Sequence, residues 1–296
     1  MNGKGPIFMC IGAQKAGTTW LYANLAKLPD VALPPLKEIH YFDEIYRKVN
    51  TSFFARVSAQ EGMNKWWWKE KLNVSYRRVA KSKNIAHARW YLRYFFSPRN
   101  FNWYERLFKT PAGKISGDIT PDYCILDKET IQFIHERYPQ LKIIYLIRNP
   151  VDRAWSALKM RYMQRRAMHI GDINEKLVED YYQEFHEFND IERTIDNWTY
   201  HYPREQFYIG FYDELVEDPV TFLDNILIYL GVGRAFDHEK LRQKVFKGVA
   251  GKMPADIKLL LSRKSIDQIR FLKQYSSRFN VKYPEKWLVE AQRTIS

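Results

Sequence analysis

The sequence predicts an α/β fold in which a central, mostly parallel sheet is flanked by helices. Three short apolar runs carry this prediction, because a helical pattern follows each of them: Pro6–Gly12, Ile143–Ile147 and Gln206–Tyr212. Apolar runs of this length are typical of strands that are buried on both faces. Strands that alternate with helices pair in parallel, since a parallel neighbour needs a long crossover connection. We therefore expect one sheet with helices as its crossovers.

Length and composition fit a globular protein with anionic partners. The chain has 296 residues, of which 46% are hydrophobic, and its formal net charge is +13. Repeats and linkers are not apparent, so we expect a single domain over residues 1–296 with insertions. The positive charge favours phosphorylated cofactors, sulfated or carboxylated glycans, nucleic acid or an acidic membrane surface as partners. Charge by itself does not choose among these four classes.

The cysteine content and the targeting signals limit which chemistry and which cellular location we expect for this protein. Cys10 and Cys124 are too few for a disulfide framework or a metal cluster, and Cys10 is predicted to lie in the core. No export signal or membrane-spanning segment is visible. The glycosylation sequons at Asn50, Asn73 and Asn197 are therefore interpreted as chance matches. We expect a cytoplasmic protein of bacterial origin.

The first strand leads into the stretch "IGAQKAGTTWL", which spans Ile11–Leu21. Gly12 and Gly17 have the spacing of a nucleoside-triphosphate loop, in which a lysine directly follows the second glycine. Here Thr18 takes that position, and the lysine is Lys15, two residues before Gly17. The stretch therefore predicts a phosphate loop for a ligand other than a triphosphate.

The segment after this loop, Thr18–Leu28, is predicted to be a helix. Helix N-terminal amides and the helix dipole attract anions, so the context suits an oxyanion ligand. Lys15 adds a point charge, and Thr18 and Thr19 add hydroxyl groups. Trp20 offers a flat ring that can stack on a nucleobase.

A cluster of ionisable residues follows the first helix in "PPLKEIHYFD", Pro34–Asp43. It contains Lys37, Glu38 and His40, and it ends at Asp43. Glutamate and histidine are the residue types that remove a proton from an attacking group. The cluster by itself fits either a catalytic base or a surface loop of charged residues.

Residues 61–109 carry twelve lysines and arginines against three acidic residues, so most of the net charge lies in this segment. Aromatic residues are interleaved with the charges, among them the run Trp66–Trp68 and the pair Trp90 and Tyr91. Two interpretations stay open: helices that pack aromatic rings inward and expose basic faces, or an electropositive wall over an anionic substrate. In both, the segment is a helical insertion, which we expect near the substrate cleft.

The second and third strands each end beside candidate binding residues. Arg148 directly follows the strand Ile143–Ile147, and a turn at Asn149–Pro150 begins the next helix. Tyr212 ends the third strand, and a helix is predicted from about Pro219 to Leu230 with a glycine stop at Gly231.

Several of these segments together resemble one enzyme family. "QKAGTTWL" resembles the 5′-phosphosulfate loop of sulfotransferases that use 3′-phosphoadenosine 5′-phosphosulfate (PAPS). "YLIRNPVDRAWSAL" is similar to that family's 3′-phosphate segment, with Arg148 at the strand end and Ser156 on the following helix. "FYDELVEDPVTFLDNILIYLGV" and "FKGVAG" resemble two later segments of the family, and all four occur in family order. The resemblance implies a P-loop-NTPase-like sulfotransferase fold.

The resemblance also implies the donor-binding residues. Arg148 and Ser156 would bind the 3′-phosphate. The guanidinium of Arg148 can donate two parallel hydrogen bonds to a phosphate. Trp20 and Tyr212 would border the adenine, and Phe246 stands where the family often has an arginine. The implied donor-binding residues are Lys15, Ala16, Gly17, Thr18, Thr19, Trp20, Arg148, Ser156, Tyr212, Phe246, Lys247 and Gly248.

The acceptor side resembles a second branch of the family. "LKEIHYF" is similar to the K-E-x-H-F-F segment of heparan-type sulfotransferases, whose glutamate deprotonates the acceptor. This resemblance implies Glu38 as the base, with His40 as the alternative base or as a partner that orients the acceptor. "GDITPDYCIL" loosely matches an acceptor-lining strand of those enzymes, although Asp118 and Asp122 replace the lysine-containing pattern. The implied acceptor-binding residues are Lys37, Thr120, Pro121 and Tyr123.

The expected reaction is in-line transfer of a sulfuryl group from PAPS to an acceptor hydroxyl, with an amine as the alternative, releasing adenosine 3′,5′-bisphosphate (PAP). Lys15 would stand at the bridging oxygen, where negative charge develops, so we expect no metal ion to be needed. A nucleotide-dependent phosphoryl transferase and a non-catalytic anion-binding or glycan-binding module are the competing hypotheses. The acceptor stays open among glycan, glycolipid, lipid, polyketide and small metabolite, and no nucleic acid partner is expected.

Overall fold

The structure of the chain is a computed structural model that describes residues 5–49, 63–82, 84–164, 169–233, 251–279 and 281–296. Four short strands form one sheet: β1 (Phe8–Gly12), β2 (Gly117–Ile119), β3 (Lys142–Ile147) and β4 (Phe207–Phe211). The strand order is β2-β1-β3-β4, and every neighbouring pair is parallel. This sheet confirms the predicted α/β class.

Helices surround the sheet and make up most of the described chain. They are α1 (Thr18–Leu25), α2 (Phe42–Tyr46), α3 (Met63–Ser82), α4 (Ile85–Phe96), α5 (Phe101–Leu107), α6 (Lys128–Arg137), α7 (Pro150–Leu158), α8 (Glu175–Glu184), α9 (His186–Asn189), α10 (Ile191–His201), α11 (Tyr212–Glu217), α12 (Pro219–Leu230), α13 (Ala255–Phe279) and α14 (Lys286–Ile295). Short 3₁₀ turns and one π-helical turn join some of them, at Pro121–Ile125, Lys159–Gln164, Ile170–Asp172 and Arg204–Gln206.

Local sequence signals explain where several helices begin and end. Helix α7 begins at Pro150, which lacks an amide hydrogen, and the Asn149 side chain accepts a hydrogen bond from the amide of Val151 at 3.0 Å. Helix α12 ends at Gly231, which adopts the left-handed conformation with φ 77°. The prediction for α1 extended three residues too far. Beyond Leu25 the backbone tightens into shorter-range bonds, including one from the Leu28 amide to the Leu25 carbonyl at 3.1 Å.

The strand order creates a crevice at the carboxyl edge of the sheet. The chain leaves β1 towards β2 on one side and returns across β1 to reach β3 on the other side. In an open parallel sheet, ligands bind outside the carboxyl ends of the strands where the connections diverge in this way. The loop that contains Lys15 follows β1, and Arg148 follows β3. The fold therefore brings both predicted donor-binding segments to the same crevice.

The strands are buried on both faces, as their composition predicted. All five residues of β1 are buried, and the thiols of Cys10 and Cys124 are also buried and not joined in a disulfide. Burial raises the pKa of the Cys10 thiol to about 12, so this cysteine is an inert core residue. None of the described helices is long and apolar enough to cross a bilayer.

The basic segment is helical, and its described aromatic residues pack inward. Trp90 and Tyr94 of α4 are buried and stack with ring centroids 5.2 Å apart. Tyr104 of α5 is fully buried and stacks on Tyr41 at 5.1 Å. The first of the two interpretations, with aromatic rings inside, therefore holds for these residues. That residues 1–296 form one domain stays a prediction.

A single buried carboxylate joins the insertion to the sheet. Asp118 of β2 is 1% exposed and accepts three hydroxyl hydrogen bonds. The hydroxyls of Tyr104 and Tyr123 lie 2.9 Å from its Oδ2, and that of Thr120 lies 2.7 Å from its Oδ1. Burial raises the pKa of Asp118, and the three donors oppose that shift by favouring the ionised form. Asp118 thus connects α5, β2 and the turn after β2.

This arrangement predicts a large cost for removing the carboxylate. Asp118→Ala would leave three buried hydroxyls without their acceptor, so we expect the free energy of unfolding to fall by about 3 kcal/mol. Urea unfolding followed by circular dichroism would measure the change. Asp267→Ala, which removes an exposed aspartate of α13, is the matched control and should leave the unfolding midpoint nearly unchanged. Equal midpoints for the two variants would show that Asp118 does not hold the fold together.

Candidate active site

The loop between β1 and α1 has the conformation of an anion-binding turn. Gly17 occupies the N-terminal capping position of α1 with φ 97°, and no side chain caps the first amides of that helix. A side chain at Gly17 would place its Cβ 2.7 Å from Cδ2 of Leu215 and 3.4 Å from Cδ2 of Tyr212. Glycine is therefore required both by conformation and by space. Ala16 and Thr18 are buried, and Thr19 is exposed at the start of the helix.

Lys15 lies inside this crevice and not on the outer surface. Its backbone is in the left-handed region with φ 69°, and its side chain is half-buried. The Nζ atom lies 3.7 Å from Sδ of Met160, in the turn that follows α7. The loop that carries this ammonium follows β1 at the carboxyl edge of the sheet, where parallel sheets bind their ligands.

Arg148 is fixed between two of the predicted donor-binding segments. Its Nη1 donates a hydrogen bond to the Lys15 carbonyl at 3.3 Å. Its guanidinium carbon lies 4.8 Å from the centre of the Tyr212 ring, within the range of a cation–π contact. The structure therefore brings together the residues that follow β1, β3 and β4, as the sequence predicted.

The remaining predicted donor-binding residues lie around this centre. Ser156 is half-buried on α7, the helix that begins two residues after Arg148. Trp20 is half-buried on α1, with its ring 6.1 Å from that of Phe222 on α12. The partial exposure of Trp20 and Tyr212 leaves ring surface for a planar ligand. The segment Phe246–Gly248, which includes Lys247, lies outside the described residues.

On the acceptor side, the backbone from Glu38 to His40 is held in an unusual conformation. Glu38 and His40 both have positive φ, 64° and 52°. Non-glycine residues adopt this region at a cost and usually need support from their surroundings. We call Lys37–Asp43 the base loop.

Two hydroxyl groups support the base loop from the sheet side. The Ile39 amide donates to Oγ1 of Thr120 at 3.0 Å, and the Tyr41 amide donates to the hydroxyl of Tyr123 at 3.3 Å. Both hydroxyls donate in turn to Asp118. A continuous series of hydrogen bonds therefore runs from the Asp118 carboxylate to the backbone of the base loop.

Two basic side chains of the insertion support the base loop from the opposite side. Lys71 of α3 donates to the Lys37 carbonyl at 3.3 Å, and Arg99, just after α4, donates to the His40 carbonyl at 2.8 Å. Burial lowers the pKa of Lys71 to about 7, although the Glu38 carboxylate opposes this shift. The sequence showed that this segment is basic, but its periodicity carried no information about which basic residues face inward. Lys71 and Arg99 were therefore missed.

The charges of the base loop set the protonation of Glu38. Its Oε1 forms an ion pair with Lys37, and its Oε2 lies 3.8 Å from Nε2 of His40. Burial would raise the pKa of Glu38, but the charges of Lys37, His40 and Lys71 together hold it well below its usual range. The Glu38 side chain is 33% exposed, so solvent still reaches part of it.

His40 carries the opposite charge. Its Nδ1 lies 2.7 Å from Oδ2 of Asp43 and 4.0 Å from Oδ2 of Asp122. Burial would lower the pKa of His40, but Asp43, Glu38 and Asp122 raise it to about 10. At neutral pH the imidazole is therefore protonated and has no lone pair with which to accept a proton. The geometry favours Glu38 over His40 as the base.

The carboxylate of Asp122, in the turn after β2, lies between the base loop and the loop that contains Lys15, which we call the donor loop. Nε2 of Gln14 donates to Oδ1 of Asp122 at 2.6 Å, and Gln14 directly precedes Lys15. Oδ2 of Asp122 lies 4.0 Å from Nδ1 of His40, so one carboxylate is close to both loops. Sequence reasoning named Asp122 only as a departure from a family pattern and did not consider Gln14.

The predicted acceptor-binding residues have mixed positions. Thr120 and Tyr123 are fully buried, and their hydroxyls are engaged by Asp118 and by the base loop. Pro121 is also buried beside them, whereas Lys37 is half-buried and paired with Glu38. The contacts of Thr120 and Tyr123 indicate that they position the base loop. That these residues touch the acceptor stays a prediction.

Within the part of the chain that the structure describes, one group of side chains has the spacing of metal ligands. His40, Asp43 and Asp122 each offer a ligand atom, and these atoms lie within 4.8 Å of one another. Nδ1 of His40 and Oδ2 of Asp43 already share a hydrogen bond, so a cation bound between them would have to displace that proton.

Comparison with known proteins identifies the family. A family model described as "Sulfotransferase family" matches residues 6–237, which include the donor loop, the base loop and Arg148. A search of curated proteins gives no significant match. The family match does not favour the two competing hypotheses, a phosphoryl transferase and a non-catalytic binding module.

Solved structures of sulfotransferases are similar to this chain to different degrees. A sulfotransferase from Alicyclobacillus acidocaldarius is 20% identical with a TM-score of 0.64, and the match covers 95% of this chain and 98% of that one. The sulfotransferase STF9 from Mycobacterium avium is 11% identical with a TM-score of 0.48, over 90% of this chain and 77% of that one. Mouse sulfotransferase SULT7A1, complexed with PAP, is 17% identical with a TM-score of 0.42, over 80% and 62% of the two chains.

The Alicyclobacillus structure, at the highest TM-score of these three, supports the predicted α/β sulfotransferase fold. The family model covers most of the chain, including every described segment on which the resemblance was based. The chain therefore belongs to the sulfotransferase family and is a PAPS-dependent sulfotransferase.

Proposed function

We propose that this enzyme transfers the sulfuryl group in line to an acceptor hydroxyl, with Lys15 on the donor side and Glu38 on the acceptor side. The position of Asp122 carries this proposal, because its carboxylate accepts a hydrogen bond from Gln14, next to Lys15, and also lies 4.0 Å from His40 in the loop of Glu38. The acceptor oxygen forms a bond to sulfur while the bond from sulfur to the bridging oxygen breaks. The acceptor proton goes to Glu38, and the bridging oxygen leaves on PAP.

Lys15 acts on the leaving group. In this proposal its ammonium stabilises the negative charge that the bridging oxygen gains as the bond breaks, and its half-buried position beside Met160 supports that role. A preorganised cation at developing charge lowers a barrier more effectively than water, which must reorganise. This role needs no metal ion, because the positive charge comes from the lysine.

Glu38 accepts the proton late in the reaction. Lys37 and the protonated His40 keep the carboxylate ionised and therefore weakly basic. An alcohol loses its proton easily only after its oxygen has begun to bond to sulfur, so a weak base suffices at that stage. His40 orients Glu38 through its Nε2 and is itself held by Asp43.

Arg148, Ser156, Tyr212 and Trp20 hold the nucleotide. Arg148 offers its guanidinium to the 3′-phosphate while the Tyr212 ring supports it from one face. The uncapped amides at the start of α1 suit the 5′-phosphosulfate, since Gly17 leaves them open to an anion. Trp20 and Tyr212 border the adenine. The acceptor class and the cytoplasmic location stay predictions from the sequence.

The two chemical roles predict a loss of turnover without a loss of nucleotide binding. Glu38→Gln should lower kcat about 10² to 10⁴-fold, since it removes the base. Lys15→Ala should lower kcat about 10² to 10³-fold, since it removes the cation at the leaving group. Turnover is measured as transfer from radiolabelled PAPS to the best acceptor in a panel of phenols, sugars and lipid alcohols. Nucleotide binding is measured as PAP affinity by calorimetry. Asp30→Asn, at an exposed carboxylate, is the control and should be normal on both counts.

Two results would contradict these roles. If Glu38→Gln kept full turnover while His40→Gln abolished it, the base would be His40. If Lys15→Ala weakened PAP binding as much as it slowed transfer, the lysine would serve binding and not the chemical step.

Arg148 predicts a specific effect on recognition of the 3′-phosphate. Arg148→Ala should weaken PAP binding about 10 to 100-fold, the value of a charge-assisted hydrogen bond. Adenosine 5′-phosphate, which lacks the 3′-phosphate, should bind almost equally to the wild type and the variant. Arg270→Ala, an exposed arginine of α13, should change neither affinity. A parallel loss for both nucleotides would place Arg148 elsewhere on the ligand.

Metal removal tests the charge supplied by Lys15. We expect transfer from PAPS to be unchanged by treatment with EDTA, because the leaving-group charge is met by the lysine. Activity before and after chelation is the measurement, with added magnesium as the comparison. Loss of activity that magnesium or manganese restores would contradict this prediction and would direct attention to His40, Asp43 and Asp122.

A further inference from the structure

Helix α4 exposes a row of large apolar side chains to solvent. Ile85, Leu92 and Phe96 are 70%, 59% and 56% exposed, and their spacing places them on one face of the helix. The opposite face contains Trp90 and Tyr94, which are buried in the core. We call Ile85, Arg89, Leu92 and Phe96 the α4 stripe.

This concentration of exposed apolar surface is specific to the helical insertion. Tyr76, on the preceding helix α3, is 76% exposed. Among the other residues whose burial the structure describes, the large apolar side chains that are more than half exposed lie singly on four different helices: Tyr200, Val216, Ile228 and Val289. Single exposed apolar residues are ordinary, whereas a row on one helix marks an interaction surface.

The charges around the α4 stripe are positive. Arg89 is exposed within the stripe, and Arg77, Arg106 and Lys109 are exposed on its flanking segments. Residues 61–109 contain twelve basic and three acidic residues, and the acid Glu105 is buried against Arg137. Outward-facing bases beside apolar and aromatic side chains are characteristic of helices that lie in a membrane interface.

We propose that the α4 stripe docks this enzyme on an anionic lipid bilayer. The apolar side chains enter the boundary between headgroups and acyl chains, and the surrounding arginines contact the anionic headgroups. A second copy of the chain is a poorer occupant, because a symmetric contact would bring two basic surfaces together. Nucleic acid is also a poorer occupant, since its phosphate backbone offers nothing apolar to Ile85 and Leu92.

The insertion that carries the α4 stripe also supports the active site. Lys71 of α3 and Arg99, which follows α4, both hold the base loop through its carbonyl oxygens. Tyr94, on the buried face of α4, lies with its hydroxyl 3.5 Å from the Ile39 carbonyl of the same loop. Lipid binding needs neither donor nor acceptor, so it is tested separately from the proposed catalytic roles.

The experiment is vesicle co-sedimentation of the full-length chain without nucleotide. We expect the wild type to bind phosphatidylcholine vesicles that contain phosphatidylglycerol and not vesicles of phosphatidylcholine alone. Ile85→Glu/Leu92→Glu should weaken binding at least about tenfold, because it places two anions at the apolar contact. Arg89→Glu is a second variant and should weaken binding in the same direction. Ile228→Glu/Val289→Glu makes the same change at exposed sites on α12 and α14 and should bind like the wild type.

Several outcomes would overturn the proposal. Absence of binding to the anionic vesicles would do so, as would equal losses in the stripe variants and in the control. A concentration-dependent dimer, seen by light scattering without vesicles and abolished by Ile85→Glu/Leu92→Glu, would assign the α4 stripe to a second copy of the chain. Unfolding midpoints of all variants establish that each remains folded.

Discussion

The buried carboxylate of Asp118 determines how the acceptor half of the site is built. Thr120 and Tyr123 each donate a hydroxyl hydrogen to it, and this fixes which way their oxygen lone pairs point. Those lone pairs accept hydrogen bonds from the backbone amides of Ile39 and Tyr41, the two residues that flank His40. The left-handed backbone of Glu38 and His40, which costs about 1 to 3 kcal/mol per residue, is thus held by a network that begins in the sheet.

Alternating charge governs the chemistry of the base loop. Glu38 lies between two cations, Lys37 and protonated His40, while His40 lies between Glu38 and the carboxylates of Asp43 and Asp122. Each charge stabilises its neighbours, so the base stays ionised although it is partly buried. Asp122 also accepts a hydrogen bond from Gln14. The position of this carboxylate near His40 therefore depends on the position of the donor loop.

The basic residues of the insertion have two separate roles. Lys71 and Arg99 point inward and hold the base loop, whereas Arg77 and Arg89 are exposed on the outer surface. A strongly basic composition therefore does not by itself form a wall over the substrate. The inward pair supports the base loop, and the outward arginines belong to the surface for which we propose an anionic lipid partner.

The sequence by itself determined the features that depend on short-range order. The strands around Cys10 and Ile144, the turn at Gly17 and the position of Arg148 could be predicted, because apolar runs and glycine spacing act over a few residues. The long-range partners could not. Thr120 meets Ile39 across 81 positions and Gln14 meets Asp122 across 108, and no local pattern encodes such pairs. Only tertiary packing decided them, because a side chain's hydrogen-bond partner depends on which segments the sheet brings to the same edge.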